Sequence, residues 1–434
     1  MMNIKVSVIV PTLNSSMYIK ECIKSILTQT LEEIEILVVD AGSTDATLEI
    51  LEQYQKTDNR IQLIHSDKKS YGYQMNLGIR LAKGLYVGIV ESDDAIDREM
   101  YCELYNVAIE NDLDFVKADY REVRTDSNSG EYAYRTRKML KDKNLYNTIL
   151  NPSKMPELLL PDIVAIWCGI YKKAFIVDNN IQFNETPGAS FQDTGVWAWT
   201  QIIAQKSIYL NKCFYRYRVD NPNSSTFQAN KCFCICDEFE FIRNNIDKVK
   251  LKEFGEMLSW IFYRKYKTNI ERTPLNLRGV FYERMAEDIS RWNREFQVTG
   301  ISYYPEEWKD IKQIIASPET YLEQKRIEKM QFIEFLKNES GIVIYGAGRV
   351  GKTLAKEIGP KKILCFAVTG TPNENNIDVD GVSVPIKSVH SMFDEGNVIF
   401  VISSKLANLR LEMLDEIKKK GNPKVVMTPF GAYD

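Results

Sequence analysis

The feature that most constrains this chain is a rhythm in its first hundred residues. Short, continuously apolar runs end abruptly in polar residues, and stretches of helical periodicity lie between them. The run 6–10 ends at Pro11, and residues 16–29 then place Ile19, Ile23, Ile26 and Leu27 on one helical face. A second run, 34–39, ends in Asp40-Ala41-Gly42-Ser43, and Thr44 or Asp45 can cap a helix reaching about Tyr54. A third run covers 61–65 and is followed by a helix over 72–82. A fourth, 86–90, ends in Glu91-Ser92-Asp93-Asp94. Strands apolar on both faces, alternating with helices, predict an α/β fold: a mostly parallel sheet covered by helices on both sides. Ligands of such sheets bind beyond the carboxyl ends of the strands. The polar clusters gather there.

The pattern changes twice further along. Residues 121–160 are less regular and read as an insertion, and 161–230 mix aromatic-rich strands with short helices. From 235 to about 337 the periodicity is helical. Gly341-Ile342-Val343-Ile344-Tyr345 then opens a new strand, with later runs at 363–368 and 398–403. A 434-residue chain has room for two to four domains. The expected division is a catalytic α/β domain over 1–230, a helical region over 231–337 and a Rossmann-like domain over 338–434.

Composition narrows the chemistry. The net charge of −3 argues against a nucleic-acid binder. With two histidines, His65 and His390, a histidine triad or a zinc-hydrolase motif has almost no material. Eight cysteines lack framework spacing, and Cys232-x-Cys234-x-Cys236 has no partner cluster to complete a tetrahedral site. With no leader-like segment and no apolar run of the roughly 18–20 residues a membrane span needs, a reduced, cytoplasmic setting is expected.

The fourth strand carries the most specific chemistry. Adjacent carboxylates at a strand end repel each other unless a cation lies beside them, and a hard divalent ion such as Mg²⁺ or Mn²⁺ would link them to a diphosphate. The plainer alternative is an Asp pair capping the helix that starts near Ile96. Three stretches decide between the two: 6–14 ending in Pro11-Thr12-Leu13-Asn14, Val39-Asp40-Ala41-Gly42-Ser43-Thr44-Asp45, and 84–94 ending in Glu91-Ser92-Asp93-Asp94. In order and placement they resemble family 2 glycosyltransferases of the GT-A fold, over roughly residues 5–230.

The resemblance implies a nucleotide-diphosphate sugar donor, UDP by family frequency. It implies that Pro11, Thr12 and Asn14 lie along the nucleoside and that Asp40 faces the base or ribose. It sets Asp94 on the metal, Mn²⁺ or Mg²⁺, and Asp93 nearer the ribose or sugar. Ala41 departs from the second acid of the family's Asp-Asp-Gly-Ser motif and loosens the nucleotide assignment. In Gln192-Asp193 the family's Glu-Asp pair has lost its Glu, and Asp193 matches the general base of inverting members. Two acidic centres suit the chemistry: one neutralises the leaving group through a metal, and the other takes the acceptor's proton. Asp193 would also serve as a helix N-cap. Trp167, Trp197 and Trp199 read first as core, and as sugar platforms second. Ser70-Tyr71-Gly72-Tyr73-Gln74-Met75-Asn76 reads equally as a donor contact or as plain helix packing. Arg218, followed by Asn223-Ser224-Ser225, resembles the segment that closes over the site, with its guanidinium on the diphosphate. The Gln-x-x-Arg-Trp element of processive synthases is absent.

The tail carries Gly346-Ala347-Gly348-Arg349-Val350-Gly351-Lys352-Thr353, which fits both a dinucleotide fingerprint and a P-loop. Neither finds its acidic partner: the run at 398–404 ends in serines, and the second strand ends at Thr369. Gly346, Gly348 and Gly351 therefore read as a candidate anion cradle at a helix start.

The resulting expectation is an inverting, non-processive, metal-dependent transferase. It would act on a glycan or lipid-linked glycan acceptor in bacterial surface polysaccharide synthesis. Association with the inner membrane face and homo-oligomerisation stay open. The rival is a bifunctional or regulatory protein whose tail binds a nucleotide or NAD. A nucleotidyltransferase is a weaker rival, because Thr12-Leu13-Asn14-Ser15-Ser16 lacks its glycine- and arginine-rich loop.

Overall fold

The computed structural model describes residues 3–125, 131–222, 231–270, 273–370, 372, 374–392, 398–404, 407–419 and 423–429. The chain divides into two compact units, Met1–Leu258 with Phe296–Val298, and Ser259–Glu295 with Thr299–Asp434.

The first unit opens with three βα repeats and a fourth strand in the expected order. Strands β1 (Val6–Thr12), β2 (Ile34–Asp40), β3 (Ile61–His65) and β4 (Tyr86–Ile89) alternate with helices α1 (Ile19–Leu27), α2 (Thr47–Thr57) and α3 (Tyr71–Leu81). The strands pair in parallel in the order β3-β2-β1-β4, and β1 and β2 are buried at every position. Ala46 is the N-cap of α2, with Asp45 just before it accepting from the Thr47 amide at 3.0 Å, and Ser70 caps α3 through the Tyr73 amide.

Beyond β4 lie β5 (Ala95–Ile96), α4 (Met100–Asn111), β6 (Phe115–Thr125), β7 (Tyr132–Arg137), β8 (Gly169–Lys172), α5 (Lys173–Asp178), α6 (Gln192–Ile203) and β9 (Ser207–Arg218). β8 joins β4 antiparallel, and β6 and β9 extend the sheet with β5 at its far edge. The stretch 121–160, expected to be irregular, in fact contains the antiparallel β6–β7 pair. Its alternation of aromatic and arginine residues on an exposed strand hides the usual apolar signal.

Helices α7 (Cys234–Asn245) and α8 (Lys248–Glu253) belong to this unit, so it extends past the boundary drawn at 230. α7 buries Ile235, Cys236, Glu238, Phe239 and Ile242, and it packs on α6. α9 (Gly255–Ile270) begins just before the division between the units.

In the second unit, α10 (Arg278–Glu295), α11 (Pro305–Ala316) and α12 (Pro318–Lys337) pack on one another. After them come β10 (Ile342–Tyr345), α13 (Arg349–Ile358), β11 (Ile363–Val368), β12 (Asn376–Val379), β13 (Val382–Ser388), β14 (Ile399–Ile402), α14 (Ala407–Lys418) and β15 (Lys424–Met427). The second sheet runs β12-β13-β11-β10-β14-β15 and is parallel except for the β12–β13 hairpin. The tail thus forms the separate α/β unit expected of it, with β10 flanked by β11 and β14.

Candidate active site

A cleft of about 440 Å³ opens at the carboxyl ends of β1 and β4. Neighbouring parallel strands diverge there into separate loops, leaving a crevice into which backbone groups and loop side chains point. Asn14, Glu91, Ser92 and Asp93 line it from those two strands, Tyr71 and Gln74 from α3, and Asp193 from α6. Trp167, Tyr217, Arg218 and Lys231 also line it, as do Lys69 and Ala41, the latter just beyond β2.

The loops after β1 and β2 hold each other. Asn14 has φ +51, and its Oδ1 accepts from the Thr44 amide at 2.8 Å, while its own amide donates to Ser43 Oγ. Asp40 is 4% exposed, and its carboxylate accepts from the Gly42 and Ser43 amides and from Ser43 Oγ. Its oxygens thus build the turn beside Ala41, which itself lines the cleft. Pro11 and Thr12 are buried in β1, and the Thr12 carbonyl accepts from Gln74 Nε2 at 3.0 Å. They shape the cleft floor from behind and do not line it.

The two aspartates after β4 part company. Asp93 lines the cleft, and one of its oxygens accepts from Asn221 Nδ2 at 2.6 Å. Asp94 is 2% exposed and turned into the protein, where it accepts from Tyr215 Oη at 2.8 Å and from the Arg218 amide at 2.7 Å. Burial, with the Asp93 charge beside it, pushes its carboxyl well above the ordinary range. Asp94, the residue expected on the metal, thus joins the β4 loop to β9. The carboxyls that reach the cleft from this motif are those of Glu91 and Asp93. Burial raises the Glu91 carboxyl to about 8, with the Asp93 and Asp193 charges adding to the rise, and Tyr71 Oη donates to it at 2.7 Å.

Arg218 lines the cleft but is already clasped. Its guanidinium donates to Glu21 at 2.8 Å and to the Asp93 carbonyl at 3.0 Å, and it lies over the rings of Tyr18 and Tyr132. Asn223, Ser224 and Ser225 lie outside the described residues. Trp167 is 8% exposed and stacks on Tyr215 and Tyr217 at 4.2 and 5.0 Å. It lines the cleft, whereas Trp197 and Trp199 are core.

The loop before α6 is unusual. Phe191 has φ +66, a left-handed conformation that bulky residues avoid. Gln192 wraps that loop: its Oε1 accepts from the Ser190 amide, and its Nε2 donates to Thr186 and to the Gly188 carbonyl. Only an amide does both, because a glutamate would set oxygen against carbonyl oxygen. This accounts physically for glutamine where the family carries Glu. Across the cleft, the Tyr71 amide donates to the Gly188 carbonyl, and Asn76 exchanges hydrogen bonds with Phe183. The 70–76 stretch is thus a seam between α3 and the 183–188 segment.

Tyr71, Glu91, Lys69 and Lys231 were not singled out from the sequence as site residues. Tyr71 and Glu91 belong to the 70–76 and 91–94 stretches, but nothing in their spacing distinguishes a cleft-facing side chain from a buried one. Among the described residues, no cluster of three or more His, Cys, Asp or Glu side chains could hold a metal ion, and no helix is long and apolar enough to cross a membrane.

In the second unit, two of the three tail glycines are explained by packing. A Cβ on Gly351 would lie 2.0 Å from the Gly346 carbonyl oxygen, and one on Gly346, at φ +117, would lie 2.7 Å from the Ser403 carbonyl oxygen. Gly348 stands at the open start of α13.

A parallel nucleotide-type half-sheet continued by a mixed half, with acidic residues where β4 meets the cleft, defines the GT-A class of glycosyltransferase. The family description "Glycosyl transferase family 2" matches residues 7–174. GlyG, a glycosyltransferase of Streptococcus pneumoniae, is 32% identical over 228 residues, covering 49% of this chain and 70% of that protein. The chain belongs to family 2 of the glycosyltransferases and is a glycosyltransferase. The poly(ribitol-phosphate) beta-glucosyltransferase of Bacillus spizizenii is 40% identical over 114 residues, which is 25% of this chain but 18% of that enzyme. The chain likewise spans 62%, 32% and 65% of three further bacterial glycosyltransferases. Among solved structures, S. aureus TarS 1-349 in complex with UDP-GlcNAc is 21% identical with a TM-score of 0.46, covering 68% of this chain and 90% of that one.

Proposed function

We propose that the first unit transfers a sugar from a UDP-linked donor to an acceptor hydroxyl with inversion, one residue per encounter, in bacterial surface glycan synthesis. The observation that carries this is the division of acidic groups in one cleft, with Glu91 and Asp93 at the β4 end and Asp193 on α6 opposite.

A divalent cation fits the first group. Its donors are carboxylate oxygens, which suit Mg²⁺ or Mn²⁺, and the Glu91 carboxyl is raised to about 8 because burial leaves its charge uncompensated. Two carboxylates leave room for diphosphate oxygens and water to complete the shell, the usual habit of Mg²⁺. When bound, the ion supplies positive charge against the departing diphosphate. We assign that contact to Asp93, assisted by Glu91, and give Asp94 the task of holding Tyr215 and Arg218 behind it.

Asp193 acts as the base. It takes the proton from the acceptor hydroxyl as the oxygen attacks the anomeric carbon, and the bond to the diphosphate breaks on the opposite face of the sugar. Lys69, Lys231 and Arg218 supply further positive charge around the cleft. The surface-glycan role rests on the kind of enzyme its relatives are, including the one that glucosylates poly(ribitol phosphate). Work at the inner membrane face would follow if the acceptor is lipid-linked.

Calorimetric titration of UDP in the presence of Mn²⁺ tests the donor side. Asp93→Ala should abolish metal-dependent binding. Unchanged affinity in that variant would remove Asp93, and the cation, from donor binding.

A further inference from the structure

The loop that presents Asp193 is backbone-strained at Phe191, and strain of this kind persists only where the surroundings hold it. Part of that hold comes from 231–238, a segment beyond the family match and beyond the boundary drawn at 230. We infer that this segment is a clamp for the catalytic base, with Glu238 a positioning residue that fixes the first turn of α6. The inference rests on Asp193 being the base.

Two contacts flank Asp193. On the N-terminal side, Lys231 Nζ donates to the Ala189 carbonyl at 2.9 Å, beside Gly188 at φ +79. On the C-terminal side, the Gly195 amide donates to Glu238 Oε1 at 2.9 Å. That amide lies in the first turn of α6, two residues beyond Asp193. Glu238 Oε2 accepts in turn from Asn184 Nδ2 at 3.2 Å, so one carboxyl ties α6 to the segment that leads into the strained loop.

The packing is close enough to select residue types. A Cβ on Gly195 would lie 2.1 Å from Glu238 Oε1, so glycine is what lets the carboxyl reach the backbone. Glu238 is 1% exposed, and an acid so deeply buried is costly unless its oxygens are used. Both oxygens are used, and on the two segments that carry Asp193. An apolar side chain would fill the same volume without holding either.

The clamp acts through geometry. A small misplacement of a reacting group costs rate far more than it costs binding. Glu238 touches neither Glu91 nor Asp93, the residues assigned to the cation, so loss of its two contacts should lower kcat and leave UDP affinity in place.

The test compares Glu238→Gln, Glu238→Ala and Glu238→Asp in the full chain by two readouts. Glutamine keeps an acceptor oxygen for the Gly195 amide, with Asn184 free to turn its own oxygen inward, and should stay within a few-fold of the parent. Alanine should lower kcat about tenfold or more with the Kd for UDP and Mn²⁺ unchanged, the size expected when one geometry-fixing hydrogen bond is lost. Aspartate is too short to reach Gly195 and should behave like alanine, which keeps the test alive if the alanine variant folds poorly. Hydrogen exchange over 190–197 should rise about tenfold in alanine and aspartate, not in glutamine, with the β1–β4 core unchanged. The exchange result decides the clamp even if no UDP-sugar is turned over by the parent protein, an outcome that would sink the functional reading alone. Unchanged exchange, or unchanged kcat, in a folded aspartate or alanine variant overturns the clamp.

Discussion

At the residue scale, the two acidic centres are separable by experiment. Asp193→Asn keeps the shape of the side chain and removes its proton affinity. It should lower kcat by about 10²–10⁴-fold while UDP binding with Mn²⁺ stays near the parent value. Full activity in that variant would take Asp193 out of the chemistry. Glu91 gives a pH signature with a definite sign. Its carboxyl rises from an ordinary 4.5 to about 8, so in the free protein it holds its proton at neutral pH. A raised carboxyl favours the folded state fully below about pH 4.5, and that contribution is lost as pH climbs through 8. A cation placed beside Glu91 favours the ionised form. Binding of UDP with Mn²⁺ at pH 7 should therefore release a proton and tighten as pH rises toward 8. Calorimetry in buffers of different ionisation enthalpy would read the release, and an affinity flat from pH 6 to 8 would refute it. This scale also shows where sequence reading stops. The Asp93-Asp94 pair was legible as an acidic strand end. Which member faces the cleft was not, because the pair sits in a turn, closed by the Asp94 amide on the Glu91 carbonyl at 3.0 Å, and side-chain directions in a turn follow no periodic pattern. Asp40 was legible as a strand-end acid for the same reason, but its use in bracing the 40–43 turn was not.

At the element scale, the parallel half of the first sheet could be read almost strand by strand. Continuous apolar runs closed by polar residues have few other solutions, and β1, β2 and β4 begin and end within a residue or two of where the runs do. The β6–β7 hairpin could not be read, since arginines and tyrosines on an exposed strand imitate a loop. The α3 start was legible only as an ambiguity between ligand contact and packing, and the structure shows a seam. A Cβ on Gly72 would lie 1.9 Å from the Asn184 carbonyl oxygen, a backbone atom that cannot swing aside. Gly72→Ala must therefore part α3 from the 183–189 segment, at a cost of about 1–3 kcal/mol or more. It should also reduce turnover beyond what stability explains, because Tyr71 lies on that seam and holds Glu91. Thermal unfolding beside kcat in the same preparation would check both. A fully stable and active alanine variant would mean that the two segments do not meet as described.

At the scale of the whole molecule, the residues that line the cleft fall between Leu13 and Lys231, all within the first unit. The second unit has its own sheet and its own apolar core, built from Ile342, Ile344, Leu354, Phe366 and Val401 on one face and Val343, Phe400 and Ile402 on the other. The glycine-rich turn belongs to that core's construction. Gly351 sits where α13 crosses β10, and a methyl there would meet the Gly346 carbonyl oxygen at 2.0 Å. Two glycines of the motif that reads as a nucleotide fingerprint, Gly346 and Gly351, are thus required by packing whether or not an anion binds, which is why the sequence alone could not tell the two apart. Gly351→Ala should then loosen the second unit selectively. Hydrogen exchange and limited proteolysis should rise across 342–402, while UDP and Mn²⁺ bind the first unit with unchanged Kd. If the same substitution weakens UDP binding several-fold with the first unit's core still protected, the tail takes part in donor binding, and the regulatory reading of this chain becomes the better one.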